Sequence, residues 1–420
     1  MLGAEVLKKK LLLFLVVIYI FVLSGCGISE FINDFNPGFN SQINVNKDSE
    51  TNRNPGVTEI AVSGNVVSLE NDKTSYLRNT LLNKEEQIVY DIIYSGMKKE
   101  ETSISLSPLT GFFASEKAIK EITSNAVFSV LRDHPEFFMY ENSYSYTYET
   151  DFKAASVILK FETNVDFETA KLRQQKIDKV VNEIYEVIKD FDDYNKSKYV
   201  YTYLAQNITY GEGDNMYNMC GALIDGITKC DGYTKAYLYI MQKCGVEVGY
   251  ICGEGKGDLH AWNIVKINGD WYYVDCTWGD PILENNDEMQ LKNNVDYSYL
   301  HLTTDEILKN HTFDDIYLNL PEYKASKENY YIKEAFFFEK YNEKSLEDAL
   351  YSKIKSANSR NSHVKIEIKY KNHGDAQKAY DWMNGDNIMK VAQKIKCAGF
   401  SYRKVQSDVG TFRVEIDFEF

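Results

Sequence analysis

Three residues between Gly221 and Pro281 have side chains that could together perform nucleophilic chemistry. Cys230 supplies a thiol, His260 an imidazole and Asp275 a carboxylate, in that order along the chain. A thiol becomes a strong nucleophile when a base takes its proton, and a carboxylate can hold that base in the required orientation. Taken singly, each residue is better explained by packing or by a strand end. The hypothesis therefore depends on their joint occurrence.

The residues that follow Cys230 predict a helix with one buried face. Apolar side chains recur at helical spacing, and Gly245 follows as a residue that typically ends a helix. Cys230 would then lie at the first turn, where unpaired backbone N–H groups and the helix dipole favour a thiolate. The same N–H groups can bind an oxyanion. Gly232 leaves room for a substrate backbone and is a candidate residue of the substrate cleft.

Two strands should carry His260 and Asp275 on one face of a sheet. The pair Asn268-Gly269 separates two β-rich runs, which predicts a hairpin with a two-residue type I′ turn. Ile267 then pairs with Asp270, and the histidine and aspartate become diagonal neighbours, with backbones ~7–8 Å apart. A three-residue loop would send the two side chains to opposite faces. The hypothesis therefore requires the two-residue loop, or a four-residue loop that keeps the same pairing.

The order of these motifs resembles the transglutaminase-like superfamily of cysteine proteases and acyl transferases. The matching segments are GITKCDGY at 226–233, HAWN at 260–263 and WYYVDCTWGDP at 271–281. The resemblance covers about residues 199–311, including the segment YLHLTTDEILKNH at 299–311. Lys229 and Thr234 are departures, because relatives more often have an apolar residue and alanine there. Lys229 can alter the mouth of the cleft.

The resemblance implies an α+β fold with a papain-like transglutaminase core. In that core a helix carrying Cys230 packs on an antiparallel sheet carrying His260 and Asp275. It implies that these residues act as nucleophile, base and orienting carboxylate. Trp262 and Trp278 are candidates for walls of the substrate cleft, with packing in the core as an equal alternative.

The first residues predict export and attachment to lipid. Lys8, Lys9 and Lys10 precede an apolar run from Leu11 to Leu23, which is shorter than the ~20 residues of a membrane-spanning helix. The sequence LSGC then ends at Cys26 and resembles the lipobox of bacterial lipoproteins. We expect a signal peptide at 1–25 and a lipid anchor on Cys26 that holds the protein on the extracytoplasmic face of the cell membrane. The alternative is an ordinary signal peptide or a short anchor with an incidental cysteine.

The remaining chain predicts modules on both sides of the core. We expect five segments: 1–25, a flexible tether at 26–75, an N-terminal α/β module at 76–195, the transglutaminase-like core at 196–325 and a C-terminal α/β accessory module at 326–420. A chain of 420 residues has room for several domains. Its net charge of -15 argues against nucleic acid as a partner, because an acidic surface repels phosphates.

The cysteines predict no metal site and no cofactor. No Cys-x-x-Cys pair occurs in the sequence, which argues against a zinc site built from thiolates. Six cysteines remain besides Cys26, and export would allow them to form disulfides. If Cys230 stays free as a nucleophile, at most two disulfides can form.

Together these features predict a membrane-anchored cysteine peptidase or amidase acting on peptide or glutamine-type amide bonds. If an amine replaces water as the acyl acceptor, the product is a crosslink, and the residues do not decide between the two. The expected partners are a protein or peptide substrate, with cell-wall peptides as one candidate, and the lipid bilayer. The alternative is a catalytically silent binding or scaffold lipoprotein on the same fold.

Overall fold

We describe the fold from a computed structural model of the chain. Its described residues are 41–43, 66–106, 109, 113, 115–151, 154–280, 295–356, 361–384, 386–395, 399–406 and 411–419. The predicted signal peptide, Cys26 and most of the predicted tether lie outside these residues. The described end of the tether is not loose, since Leu69 and Ser75 are buried. Among the described residues, no helix has the length and apolarity needed to cross a bilayer.

The N-terminal module packs helices on one antiparallel pair of long strands. Asn83 begins the second helix with a capping box, in which its side chain and that of Glu86 each bond to the other's backbone N–H. The sheet order is β1-β3-β4-β2, and its apolar side chains form a core with the helices. The elements are α1 Tyr76–Thr80, α2 Lys84–Met97, α3 Glu116–Asp133, β1 Ser41–Ile43, β2 Ser103–Ser105, β3 Tyr140–Asp151 and β4 Ala154–Thr163.

The central part of the chain folds as helices packed on a five-stranded sheet of order β10-β9-β8-β7-β11. A separate two-stranded parallel pair, β5 with β6, lies before the third of these helices. The elements are α4 Phe167–Ile188, α5 Asp193–Asn207, β5 Thr209–Tyr210, β6 Ile227–Thr228, α6 Cys230–Lys243, β7 Val248–Gly255, β8 Asp258–Ile267, β9 Asp270–Val274, β10 Leu300–Leu302, α7 Thr304–Ile307 and β11 His311–Phe313.

Helix α6 begins at Cys230, as the sequence predicts, but the prediction of a single buried face is wrong. Every residue from Gly232 to Met241 is buried. Helices α4 and α5, together with the end of the N-terminal module, cover the faces away from the sheet. The Tyr239 hydroxyl donates to Asp178 on α4 at 2.8 Å, and the Tyr237 hydroxyl lies 2.6 Å from Ser197 Oγ on α5. Gln242 at the end of the helix donates hydrogen bonds to the backbone oxygens of Thr74 and Asp133, 3.0 and 2.9 Å away.

The hairpin between β8 and β9 has the register that the sequence requires. Ile267 pairs with Asp270, and Asn263 pairs with Val274. Asn268 and Gly269 have φ angles of 52° and 89°, which are the positive values that a type I′ turn needs at both positions.

Helix α4 packs with the central sheet rather than with the N-terminal module that precedes it. Five of its side chains belong to the apolar core of the central part: Ala170, Ile177, Val181, Ile184 and Ile188. The apolar core of the central part therefore begins before the predicted boundary at residue 195, because it includes a helix that begins at Phe167.

The C-terminal module is a four-stranded sheet of order β12-β13-β15-β14 with its own apolar core. Its first long helix begins at Glu343, and Asn342 caps it by accepting the Ser345 N–H. Two shorter helices follow, at His373–Trp382 and Asp386–Ile395. The elements are α8 Tyr330–Lys333, β12 Phe336–Phe338, α9 Glu343–Ser356, β13 Asn361–Tyr370, α10 His373–Trp382, α11 Asp386–Ile395, β14 Gly399–Gln406 and β15 Thr411–Glu419.

Candidate active site

His260 and Asp275 meet on one face of the β8–β9 hairpin. His260 Nε2 lies 2.7 Å from Asp275 Oδ2. The histidine is 7% exposed and the aspartate is 0% exposed, so water screens the pair little. The diagonal contact that the hairpin register predicts is therefore present.

The Asp275 carboxylate accepts four hydrogen bonds. Its Oδ1 accepts the backbone N–H groups of Thr277 and Trp278, at 2.9 and 3.1 Å. Its Oδ2 contacts the imidazoles of His260 and His311, at 2.7 and 3.2 Å. Burial raises the pKa of Asp275, but the charge of His260 and the hydrogen bonds from both histidines outweigh it and hold the pKa below its usual range. The carboxylate is therefore ionised at neutral pH.

Cys230 lies at the N-terminus of α6 beside His260. It is partly exposed, and its backbone N–H has no acceptor among the described residues. Burial lowers the pKa of His260, but the charge and hydrogen bond of Asp275, followed by the Cys230 side chain, raise it to about 10. Since Nε2 is bonded to Asp275, Nδ1 is left to face the thiol. The cysteine, histidine and aspartate are thus brought together in the predicted order.

Trp278 covers the histidine from the solvent side. Its ring stacks on His260, with ring centroids 5.3 Å apart and an angle of 28° between the planes. A Cβ at Gly255 would lie 2.9 Å from Trp278 and 3.1 Å from His260, so only glycine allows this approach without displacing a ring. Trp278 is partly exposed and remains a candidate wall of the substrate cleft.

Two other cleft candidates lie in packed positions. Trp262 is 1% exposed and stacks between His260 and Phe313, which corresponds to the core-packing alternative. Gly232 is buried, and a Cβ there would lie 1.9 Å from Thr228 Oγ1. The expected room for a substrate backbone at Gly232 is therefore filled by the threonine, and close packing explains the glycine.

Sequence reasoning missed the role of two residues near the site. His311 reaches Asp275 because β11 pairs with β7, and this pairing of distant segments has no local sequence signal.

The second residue is Tyr210, which pairs with Thr228, two residues before the cysteine. Lys229 Nζ lies 4.9 Å from the Tyr210 ring. Burial, followed by the nearness of Cys230, raises the pKa of Tyr210 to about 12. Its hydroxyl is therefore a donor at neutral pH.

The chemistry of the His260, Asp275 and His311 cluster fits a proton-holding network better than a metal site. Their nitrogen and oxygen atoms lie within 4.8 Å of one another, which is close enough for three ligands. A metal requires neutral imidazoles, whereas His260 has a pKa of about 10 and holds its proton at neutral pH. A metal would also have to displace both imidazole contacts of the carboxylate.

The other described cysteines differ from Cys230 in surroundings. All five described cysteines are free thiols. Burial raises the pKa of Cys220, Cys244, Cys252 and Cys276.

A cavity of about 280 Å³ lies between the N-terminal module and α6. It is lined by residues such as Phe137, Glu141 and Lys235, and Cys230, His260 and Asp275 are not among its lining residues.

The comparisons with known proteins agree with this site. Residues 185–276 match the family model described as the transglutaminase-like superfamily, and this range contains Cys230, His260 and Asp275. Similarity to the transglutaminase-like superfamily, which is related to cysteine proteases, is thus shown for this segment of the chain. The predicted α+β fold class is confirmed.

Similarity to individual proteins is confined to part of the chain. Over 69 residues it is 33% identical to the kyphoscoliosis peptidases of Mus musculus and of Homo sapiens. The overlap covers 14% of this chain and 10% of each relative, so the chain spans about a tenth of the length of these curated relatives. The crystal structure of a TGase shares 15% identity at a TM-score of 0.25, covering 34% of this chain and 45% of that one.

Proposed function

We propose that the protein is a cysteine peptidase or amidase that cleaves peptide or glutamine-type amide bonds with Cys230, His260 and Asp275. The observation that carries this proposal is the placement of His260 between a thiol at a helix N-terminus and a buried carboxylate 2.7 Å away. A protonated imidazole beside a thiol favours the thiolate, which is the nucleophilic form. The arrangement supplies the nucleophile, the proton donor and the orienting group of acyl transfer.

The proposed reaction has two steps. In the first, the Cys230 sulfur attacks the amide carbonyl carbon, His260 gives its proton to the leaving nitrogen, and the C–N bond breaks to leave a thioester. In the second, water attacks the thioester, His260 takes a proton from that water, and the thiolate leaves. The products are an acid and an amine, and the enzyme returns to its starting state.

Two donors are available for the oxyanion that forms in each step. The Cys230 N–H has no acceptor among the described residues, and the Tyr210 hydroxyl is protonated at neutral pH because its pKa is raised to about 12. Removing one donor from such a site typically costs ~10²–10³-fold in rate. Tyr210→Phe should therefore slow both acylation and deacylation.

The acyl acceptor decides between hydrolysis and crosslinking. A peptide panel containing glutamine tests this directly, by measuring released ammonia and free acid with and without an added primary amine. We expect activity in the wild-type protein and none in Cys230→Ala. Cys244→Ala is a matched control, because Cys244 is a second partly exposed thiol that lies at the opposite end of α6.

The rival proposal is a silent scaffold on the same fold. The loss of one of the three residues would support it, but all three side chains are present and in contact. It predicts that Cys230→Ala binds every partner of the wild-type protein and that neither protein forms a thioester with any peptide amide. Detection of a Cys230 thioester by peptide mass mapping would exclude it.

The location we propose is the extracytoplasmic face of the cell membrane, with lipid on Cys26. The support is the sequence from Lys8 to Cys26 alone. Growth of the producing bacterium with a clickable fatty acid should label the wild-type protein and not Cys26→Ala, and the variant should leave the membrane fraction. Equal labelling of both proteins would contradict the anchor. The candidate substrates are therefore surface or cell-wall peptides.

A further inference from the structure

The carboxylate of Asp275 depends on a side chain from outside the hairpin. Three of its four hydrogen bonds come from β8 or from the residues just after β9, namely His260, Thr277 and Trp278. The fourth comes from His311 at the start of β11, at the far edge of the sheet. Because Oδ1 is bound by two backbone groups, the position of Oδ2 is left to the two histidines.

The His311 ring is itself fixed in place. It is 1% exposed, and its Nδ1 lies 2.7 Å from Asn310 Oδ1. Its centroid lies 4.4 Å from Trp278 and 4.7 Å from Trp262. Asn310 is held in turn by a hydrogen bond of 2.9 Å between its side-chain amide and the Tyr299 hydroxyl. A ring with contacts on its faces, its edge and both nitrogens can hold a neighbour at a defined distance.

The protonation state of the His311 imidazole allows it to donate a hydrogen bond to Asp275. Burial lowers its pKa, so the imidazole is neutral at physiological pH. A neutral imidazole has one N–H, and the ionised carboxylate competes for it more strongly than the uncharged amide oxygen of Asn310. The N–H is therefore on Nε2, pointing at Asp275 Oδ2. Nδ1 is then an acceptor, so the Asn310 side chain must present its NH2 group to it, which requires exchanging the assigned positions of the amide oxygen and nitrogen.

We propose that His311 is a positioning residue of the active site, which holds the Asp275 carboxylate against His260 through the Nε2–Oδ2 hydrogen bond. This inference rests on the proposed function of Cys230, His260 and Asp275. It also means that the site is complete only when the segment from Leu300 to Phe313 has folded onto both edges of the sheet, through β10 and β11. The segment beyond the hairpin is then part of the catalytic machinery without touching the substrate.

The test compares three variants of the full chain. His311→Phe keeps a flat ring between Trp278 and Trp262 but removes the hydrogen bond. His311→Gln retains an N–H donor. His301→Phe is the matched control, because His301 is a second fully buried histidine, bonded to Ser197 and to the Glu328 backbone rather than to Asp275.

Two quantities are measured from about pH 5 to about pH 11. The first is the NMR titration of the His260 imidazole, whose signal is identified because it is missing in His260→Gln. The second is the rate at which iodoacetamide alkylates Cys230. In His311→Phe we expect the pH at which His260 loses its proton to fall by about one unit, which is a tenfold rise in its proton dissociation constant. Alkylation should slow by about tenfold. His311→Gln should restore most of both, and His301→Phe should change neither.

An unchanged His260 titration in a folded His311→Phe protein would overturn the inference. If that variant does not fold, Asn310→Ala removes the second anchor of the ring and must move the titration in the same direction, and no movement would also overturn it. Failure of the proposed function gives a different result. In that case Cys230 of the wild-type protein reacts no faster than the buried thiols, while the NMR titration still reports whether His311 positions Asp275.

Discussion

At the scale of single residues, the protonation of His260 is decided by a competition between burial and charge. Burial favours the neutral ring, whereas the Asp275 carboxylate and the Cys230 side chain favour the imidazolium, and the charges prevail to give a pKa of about 10. Trp278 limits access of water to this pair by stacking on the ring. The site therefore holds a proton donor at neutral pH, as cleavage of an amide requires.

This competition predicts how stability depends on pH. The folded pKa of His260 is raised, so its stabilising contribution is complete below its unfolded pKa of about 6.5 and is lost as the pH rises through about 10. We expect the unfolding free energy of the wild-type protein to exceed that of His260→Gln near neutral pH, and this excess to shrink as the pH rises from about 6.5 to about 10. Urea unfolding at several pH values measures it.

His301→Gln is the control for this prediction. Burial lowers the pKa of His301 to about 4, so the charge of His301 does not change between neutral and high pH. The difference in unfolding free energy between the wild-type protein and His301→Gln should therefore be constant over that range. If the difference in unfolding free energy between the wild-type protein and His260→Gln stays constant from about pH 7 to about pH 11, the ion pair of His260 with Asp275 does not exist.

At the scale of elements, the N-terminus of α6 is tied to the sheet by Asp231. Its two carboxylate oxygens accept hydrogen bonds of 2.7 Å from the Tyr250 hydroxyl on β7 and from Lys235 one turn along the helix. Arg132 of α3 packs its guanidinium 3.6 Å from the Phe128 ring and faces Tyr250 as well. One carboxylate thus joins the first turn of α6, next to Cys230, to β7 and to the nearly buried Lys235.

Asp231→Asn should destabilise the protein by about 3 kcal/mol, because it leaves the nearly buried Lys235 ammonium without its ion-pair partner. The measurement is the free energy of unfolding in urea. Glu121→Gln provides the comparison, since Glu121 pairs with Lys117 at 3.6 Å on the surface, where both side chains are mostly exposed. That change should cost at most about 0.5 kcal/mol. Equal effects of the two changes would contradict this account of the helix terminus.

The sequence was sufficient where the determinants are local. Asn268-Gly269 specifies its own turn, and that turn specifies the register that brings His260 to Asp275. Likewise the capping box of Thr303 and Glu306 specifies the start of α7 from residues three positions apart. These features require only the properties of neighbouring residues.

The sequence was not sufficient where distant segments meet. The contact of His311 with Asp275 depends on the pairing of β11 with β7. The second buried face of α6 depends on the packing of α4, α5 and the end of the N-terminal module around it. The packing of Thr228 against Gly232 depends on the path of the chain before the helix. No local periodicity encodes these contacts, because they are set by tertiary packing.

At the scale of the whole molecule, the C-terminal module is joined to the core by buried polar contacts. Lys369 on β13 is 2% exposed and lies 2.5 Å from Glu306, a member of the α7 capping box. The hydroxyls of Ser298, which precedes β10, and Thr411 on β15 lie 2.6 Å apart, and both residues are buried. Because α7 lies between β10 and β11, this interface borders the segment that carries His311.

Glu306→Gln should loosen this interface, because it leaves the Lys369 ammonium buried without a partner, at a cost of about 3 kcal/mol. Glutamine still serves in the capping box, so the helix itself should be preserved. Hydrogen exchange should speed up in β13 and β10. The double variant Glu306→Gln/Lys369→Met should recover most of the protection, and exchange in the single variant equal to the wild-type rate would refute the role of the pair.

The central claim is that His260 activates Cys230, and the alkylation rate of that thiol tests it most directly. The wild-type protein and His260→Gln are treated with iodoacetamide at neutral pH, and each cysteine is followed by peptide mass mapping. The account predicts that Cys230 reacts at least ~tenfold faster than Cys244 in the wild-type protein and loses this advantage in His260→Gln. Equal rates for the two thiols in the wild-type protein, or an unchanged Cys230 rate in the variant, would contradict it.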